Sequence, residues 1–364
     1  MTVIDSIPAS VSAPAQPAIG IPRRTGGPTI EHVAAYCNVS VSTVSKALSP
    51  PDPRYQVSAA TRQRVRDAAE KLGYRPNFNA KALARGRTHS IGILYSGENA
   101  ILRGAFNELL LSLTQTLRRL RYQLLFVPVT EDENDWRNVL EDHRVDGCIV
   151  SHGLSESLSA SLSRNRVPTV LINFEAAAPL PHLLFDDAGG AKLATDHLLE
   201  LGHKRISFFF TPPRTTRPLG QSVSLRREGF MQTMSDAGRA SGASSFEGDA
   251  VAMADQIARA KSPPTAVIAY SHREAVALLH ELWKRGKRVP RDVSVVAFND
   301  VYPVEQTNPP LTVVALPLAD MGAAAAEQLV KLIESRGAEG DAPAALKIVL
   351  AERLIVRGST ASPK

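Results

Sequence analysis

The sequence predicts a small, all-α basic head followed by a larger α/β body with parallel sheets. Three observations carry that prediction. The excess positive charge is confined to the first quarter of the chain. A helix–break–helix pattern lies inside that quarter. Beyond it, short β-rich runs alternate with amphipathic helical runs almost to the end.

The chain has 364 residues and a net charge of +6. Residues 1–89 hold 12 Lys and Arg against 5 Asp and Glu, whereas residues 90–364 hold 30 against 31. A basic head on a near-neutral body points to a polyanionic partner. Hydrophobic residues at 44% and charged residues at 21% fit a globular chain and exclude a disordered one. No apolar run is long enough to span a bilayer, so no membrane partner is expected. Two cysteines, Cys37 and Cys148, rule out a disulfide framework and suit a reducing, cytoplasmic compartment. Residues 1–27 are rich in Pro, Ala, Ser and Gly and lack the basic start and apolar core of an export signal. They are expected to form a disordered leader.

Thr29 can cap a short helix whose Ile30, Val33 and Ala34 share one face. Cys37-Asn38-Val39 breaks it, since Asn tolerates a left-handed backbone. Ser40 can cap a second helix, residues 41–48, with Val44 and Leu48 turned toward the first. Val41, Ser42, Ser45 and Lys46 then point outward. Small polar groups, a cation and a valine methyl suit close approach to base edges in a major groove. The run Ser49-Pro50-Pro51-Asp52-Pro53 stops that helix. Val57-Ser58 begins a third, with Val65, Ala68, Ala69 and Leu72 on one face and Gly73 as its stop. Its cations Arg62, Arg64, Arg66 and Lys71 read as a solvated surface. Residues 77–84 predict a short, weakly amphipathic helix, too short to persist alone in water.

In the body, "SIGILY", "YQLLFVPV", "DGCIVS", "PTVLIN", "HLLFDD", "RISFFF", "TAVIAY" and "VSVVAFND" read as strands, with two more in residues 344–356. Helices are expected over 105–120, 191–201, 225–237 and 275–285. The alternation is long enough for two lobes. It contains no GxxxxGK[ST], GxGxxG or GxSxG motif and no His/Cys metal cluster. Asp186-Asp187 read as adjacent strand-end residues facing opposite ways. No catalytic residue, metal or cofactor is assigned, and an enzyme is disfavoured.

The head resembles the DNA-binding domain of the LacI/GalR family in the spacing of "VSVSTVSKAL", "VSAATRQRVRDAAEKLGYRPN" and "AKALARGRTHSIG". The body resembles that family's periplasmic-binding-protein-like (type I) effector domain through "DGCIVS", "FDDAGGAKLATDHLLELGHKRISFF", "LRREGF", "VPRDVSVVAFND" and "PPLTVV". The resemblance implies five segments: leader 1–27, helix-turn-helix 28–75, hinge helix and linker 76–89, two-lobed effector and dimerisation domain 90–358, and tail 359–364. It implies a transcription regulator, a repressor by the family's habit, that binds double-stranded operator DNA as a homodimer. Val41, Ser42, Ser45 and Lys46 would face bases. Thr29, Ser40, Thr43 and Asn77 would hold phosphates. Ala80 and Leu83 would enter the minor groove, Leu83 as a wedge that kinks the duplex. The family more often has Arg where this chain has Lys46.

In the cleft between lobes, a carbohydrate-derived effector is implied, with a purine or another non-sugar molecule as the alternative. Its contacts would come from Tyr95, Ser96, Arg226, Ser271, Asn299 and Asp300. Two departures touch this cleft. Ser271-His272 stands where the family usually has Asn-Asp, and residues 96–102 lack its Asn-Pro-Phe-Phe. A solute-binding protein without DNA activity is disfavoured by the basic head.

Overall fold

The structure is a computed structural model. It describes residues 27–49, 57–75, 87–96, 107–129, 134–151, 153, 155–176, 180–212, 221–335 and 346–364. The chain divides into two compact units, residues 1–84 and 85–364.

In the first unit, three helices surround a small apolar core: α1 (Ile30–Cys37), α2 (Val41–Leu48) and α3 (Ala59–Leu72). Local chemistry sets each boundary. The N–H of Thr29 donates to His32 Nδ1 at 3.0 Å at the start of α1. Asn38 ends α1 with φ 50°, in the left-handed region. Ser40 Oγ accepts from the Thr43 N–H at 3.1 Å, and Ser58 Oγ from the Thr61 N–H at 3.2 Å. Gly73 closes α3 at φ 67°. Val33, Ala34, Cys37, Val44, Ala47, Val65, Ala68 and Ala69 are buried together. Ala47 takes the buried place beside Val44, while Leu48 is only half-buried at the margin.

One expectation for the head is corrected. Arg62 is not a solvated cation. Its Nη1 donates to the carbonyls of Lys46, Ala47 and Ser49 at 3.3, 2.9 and 2.6 Å. Those carbonyls lie at the carboxyl end of α2 and just beyond it, where acceptors outnumber the helix's own donors, so Arg62 closes the helix terminus electrostatically. Lys71 is likewise engaged, with Nζ donating to the Tyr36 hydroxyl at 2.8 Å.

The second unit holds two six-stranded sheets, one per lobe. The amino lobe contains β1 (Ser90–Ser96), β2 (Gln123–Val129), β3 (Gly147–Val150), β4 (Thr169–Ile172), β5 (His182–Phe185) and β11 (Lys347–Leu350). They are ordered β11-β5-β4-β3-β1-β2 and all parallel. The carboxyl lobe contains β6 (Ile206–Phe210), β7 (Ala243–Glu247), β8 (Ala266–Ala269), β9 (Ser294–Phe298), β10 (Thr312–Ala315) and β12 (Arg353–Ile355). Their order is β12-β10-β9-β8-β6-β7. Among the described residues, β10 and β12 form the antiparallel pair and the other pairs of this sheet are parallel. Buried runs such as Phe208-Phe209-Phe210 read as continuous apolar strings because helices cover both faces of the sheet.

The helices are α4 (Asn107–Arg119), α5 (Asn134–Glu141), α6 (Glu156–Arg164), α7 (Asp187–Glu200), α8 (Gln221–Asp236), α9 (Ala250–Arg259), α10 (His272–Lys284) and α11 (Leu318–Ser335). The chain passes between lobes three times: from β5 into α7, from β10 into α11, and from β11 into β12. Helix α11 therefore returns to pack on α4 in the amino lobe. Gly322 permits that contact, because a Cβ there would lie 2.4 Å from the Leu109 carbonyl oxygen.

Candidate functional site

Each unit carries one candidate surface. On the head, α2 buries Val44 and Ala47 and exposes Val41, Ser42, Ser45 and Lys46. The four predicted base-facing side chains thus share one exposed face, with Val41 at 41% exposure despite being apolar. Thr43 is half-buried, and its hydroxyl lies 2.8 Å from that of Ser40. Thr29 and Ser40 both sit at helix amino termini, where free backbone N–H groups favour an anion. Asn77, Ala80 and Leu83 lie outside the described residues.

The second surface is the cleft between the two sheets of the body. A small pocket, partly open to solvent, is lined by Asn173, Leu184, Phe185, Asp187, Gln221, Ser222 and Leu225. The first three come from the amino lobe and the rest from the carboxyl lobe. Gln221 ties the lobes, its Oε1 accepting from the Glu175 N–H at 2.9 Å. Ser222 Oγ lies 2.9 Å from the Tyr270 hydroxyl.

Beside this pocket lies a buried charge cluster. Arg226 is 4% exposed. Its Nε donates to Asp187 Oδ1 at 2.6 Å, and its Nη1 to the Tyr270 carbonyl at 2.9 Å. Its Nη2 lies 3.9 Å from Glu352 Oε1. The guanidinium carbon is 4.0 Å from the Phe298 ring centre and 5.1 Å from that of Tyr270, so aromatic rings cover it. Burial pushes the Asp187 carboxyl above the usual range, and Arg226 pulls it partly back.

Glu352, in the passage from β11 to β12, is also buried, and neither oxygen has a hydrogen-bond partner among the described residues. Burial pushes its carboxyl up to about 8, against the opposing pull of Arg226. It fits under the first turn of α7 only because residue 190 is glycine: a Cβ there would meet Glu352 Oε2 at 1.8 Å.

The remaining predicted cleft residues are placed as follows. Tyr95 is half-buried at the carboxyl end of β1, edge-on to Phe126 at 6.4 Å. Ser96 ends the same strand. Ser271 caps α10, accepting from the Arg273 N–H at 3.2 Å and pairing with Glu274. Asn299 follows β9 in the left-handed region at φ 75°. Asp300 accepts from Arg357 Nη2 at 2.7 Å and is thereby committed to an ion pair.

One expectation is overturned here, and one departure from the family pattern is placed. Asp186 and Asp187 do not end a strand. Asp186 caps α7, accepting from the Gly189 N–H at 3.0 Å, and Asp187 is the first helical residue. The helix starts four residues earlier than its apolar periodicity announced, because the Gly-Gly that follows carries no periodic signal. His272 is not a solvated loop residue. It is buried in the first turn of α10, and burial, reinforced by Arg273, lowers its pKa to about 4. A neutral imidazole supplies no cation to the cleft. Asp187, Glu352 and the pocket amides were missed. The adjacent acids at a strand-to-helix junction were the one available signal.

Residues 29–77 match the family described as bacterial regulatory proteins, lacI family, and residues 195–360 match the periplasmic binding protein-like domain. The HTH-type transcriptional regulator DegA of Bacillus subtilis is 30% identical over 91% of this chain and 98% of its own length. The HTH-type transcriptional repressor CytR of Escherichia coli is 30% identical over 91% of this chain and 96% of its own. Among solved structures, the transcriptional regulator CelR–cellobiose complex superimposes with a TM-score of 0.64 at 28% identity. It covers 91% of this chain and 99% of that one. The lac repressor dimer bound to operator reaches 0.75 at 22% identity, covering 92% and 100%, which shows a shared fold.

Proposed function

This chain belongs to the LacI family of bacterial DNA-binding transcription regulators, and we propose that it is a repressor that binds a near-palindromic operator as a homodimer. The observation that carries the reading is the exposed face of α2, where Val41, Ser42, Ser45 and Lys46 stand clear of the head's core. Small side chains let the helix approach base edges closely, and an ammonium can donate to guanine O6 and N7. One such head reads too few base pairs for strong selectivity, and a two-fold pair doubles the readout. Leu111 on α4 and Trp283 on α10 are 59% and 64% exposed, and such apolar surface supports a partner subunit.

Thr29, Ser40, Thr43 and Asn77 hold the backbone in register, and Ala80 and Leu83 enter the minor groove at the centre of the site. A small carbohydrate-derived molecule in the cleft binds two lobe arrangements with different affinity and so shifts operator affinity. The related cellobiose complex supports that chemical class.

The test is selection of duplexes by the purified full chain from a random library. A near-palindromic consensus is expected, and Lys46→Ala is expected to lower affinity for it by roughly 5- to 150-fold, since a base contact contributes about 1–3 kcal/mol. Leu83→Ala should weaken specific binding far more than non-specific binding. Recovery of no consensus at moderate ionic strength, with and without sugars, would end the reading.

A further inference from the structure

We propose that Asp187, rather than Arg226, grips the effector, and that the molecule it takes presents a hydroxyl or ammonium donor there. This rests on the cleft being the effector site and names the chemistry of that site.

The guanidinium of Arg226 is spent inside the protein. Nε and Nη1 are hydrogen-bonded to Asp187 and Tyr270, Nη2 faces Glu352, and aromatic rings lie over the plane. It does not line the pocket. An arginine so enclosed is a positioning residue, and the side chain it positions is Asp187. That carboxylate is 5% exposed and lies in the pocket wall. Its Oδ1 receives Arg226, while Oδ2 accepts nothing among the described residues.

A carboxylate oxygen in the wall of a cavity requires that a molecule displacing water there bring a donor, because leaving it unpaired costs more than a lost hydrogen bond between exposed groups. A hydroxyl or an ammonium supplies one; a phosphate or carboxylate group is repelled. Asn173, Gln221 and Ser222 add neutral amide and hydroxyl groups around the same space. Leu184, Phe185 and Leu225 offer an apolar wall for the C–H face of a ring. Glu352 completes the device from beneath. Its Oε1 lies 3.9 Å from Arg226 Nη2, against 2.6 Å between Arg226 Nε and Asp187 Oδ1, so Asp187 holds the closer pairing with the guanidinium.

The experiment is calorimetric titration of the full chain with glucose, cellobiose, glucosamine, adenosine, cytidine, glucose 6-phosphate and gluconate. A neutral or amine-bearing compound is expected to bind, with Asp187→Asn weakening it at least tenfold. Replacing its hydroxyl or amine groups by hydrogen, one at a time, should reproduce that loss at one position, and this deletion should add little in Asp187→Asn. Arg226→Lys, which keeps the charge but loses the fork, should weaken binding less than Asp187→Asn does.

Binding of the phosphate or carboxylate compounds alone would overturn the assignment while leaving the sensor reading intact. A one-group loss that persists undiminished in Asp187→Asn would do the same. No binding by any compound would remove the sensor reading and this inference together. If Asp187→Asn fails to fold, the deletion series on the wild-type chain decides: no position costing tenfold sinks the proposal.

Discussion

Glu352 shows most directly how burial changes what a residue is. In water its carboxyl would ionise near 4.5, and in the folded chain it does so at about 8. Across that window the native state keeps a proton that the unfolded chain has lost. Stability from this group is therefore lost as pH rises from about 4.5 to 8, by up to about 1.4 kcal/mol per unit. Glu352→Gln should flatten that slope and raise the melting temperature at pH 8 relative to wild type, measured by calorimetry at pH 5, 6.5 and 8. An unchanged slope would show that the carboxyl ionises normally. His272 acts in the opposite direction. Its folded value near 4 lies below the ordinary 6.5, so stability is lost as pH falls through that interval.

At the scale of elements, the head depends on how helices end. The α2 carbonyls of Lys46, Ala47 and Ser49 converge on one guanidinium from α3. Arg62→Ala should destabilise the chain's head by roughly 0.5–2 kcal/mol, because partly buried helix-end carbonyls lose a charged donor. Circular dichroism melts of the purified variant should show it as an earlier helical transition. Operator affinity should fall with it, since α2 carries the proposed reading face. A variant with wild-type melting would mean that water serves those carbonyls equally well. The helix starts were legible in the residues themselves: Ser40 and Ser58 cap through their own side chains. The start of α7 was not, because Asp186 and Asp187 follow a β-rich run directly and Ala188-Gly189-Gly190 adds little apolar signal. Strand β7 and helix α9 also escaped notice. The strand is an edge whose Ser244, Ser245 and Glu247 face solvent, so it has no apolar run to display.

For the whole molecule, the three passages between lobes make the cleft a shared property of distant segments. Asn173, Asp187 and Ser222 meet at one pocket although 49 positions separate the first from the last. Linkage between that pocket and operator binding requires both units on one chain. A fragment beginning at Ser90 should bind sugars as the full chain does and bind operator no better than random DNA, in gel shift at fixed salt. Equal operator affinity would move the DNA-reading function into the body.

The linear chain by itself determined the charge division, the helix-turn-helix register and the parallel α/β alternation. Each arises from neighbours within a few positions, through capping, left-handed breaks and apolar period. Only the tertiary structure decided which charges are spent internally. Arg62 and Arg226 both look like free cations in sequence, and both find their acceptors on other elements. The reason is dielectric and geometric: a guanidinium removed from water seeks carbonyl and carboxylate oxygens, and folding alone brings those within 3 Å.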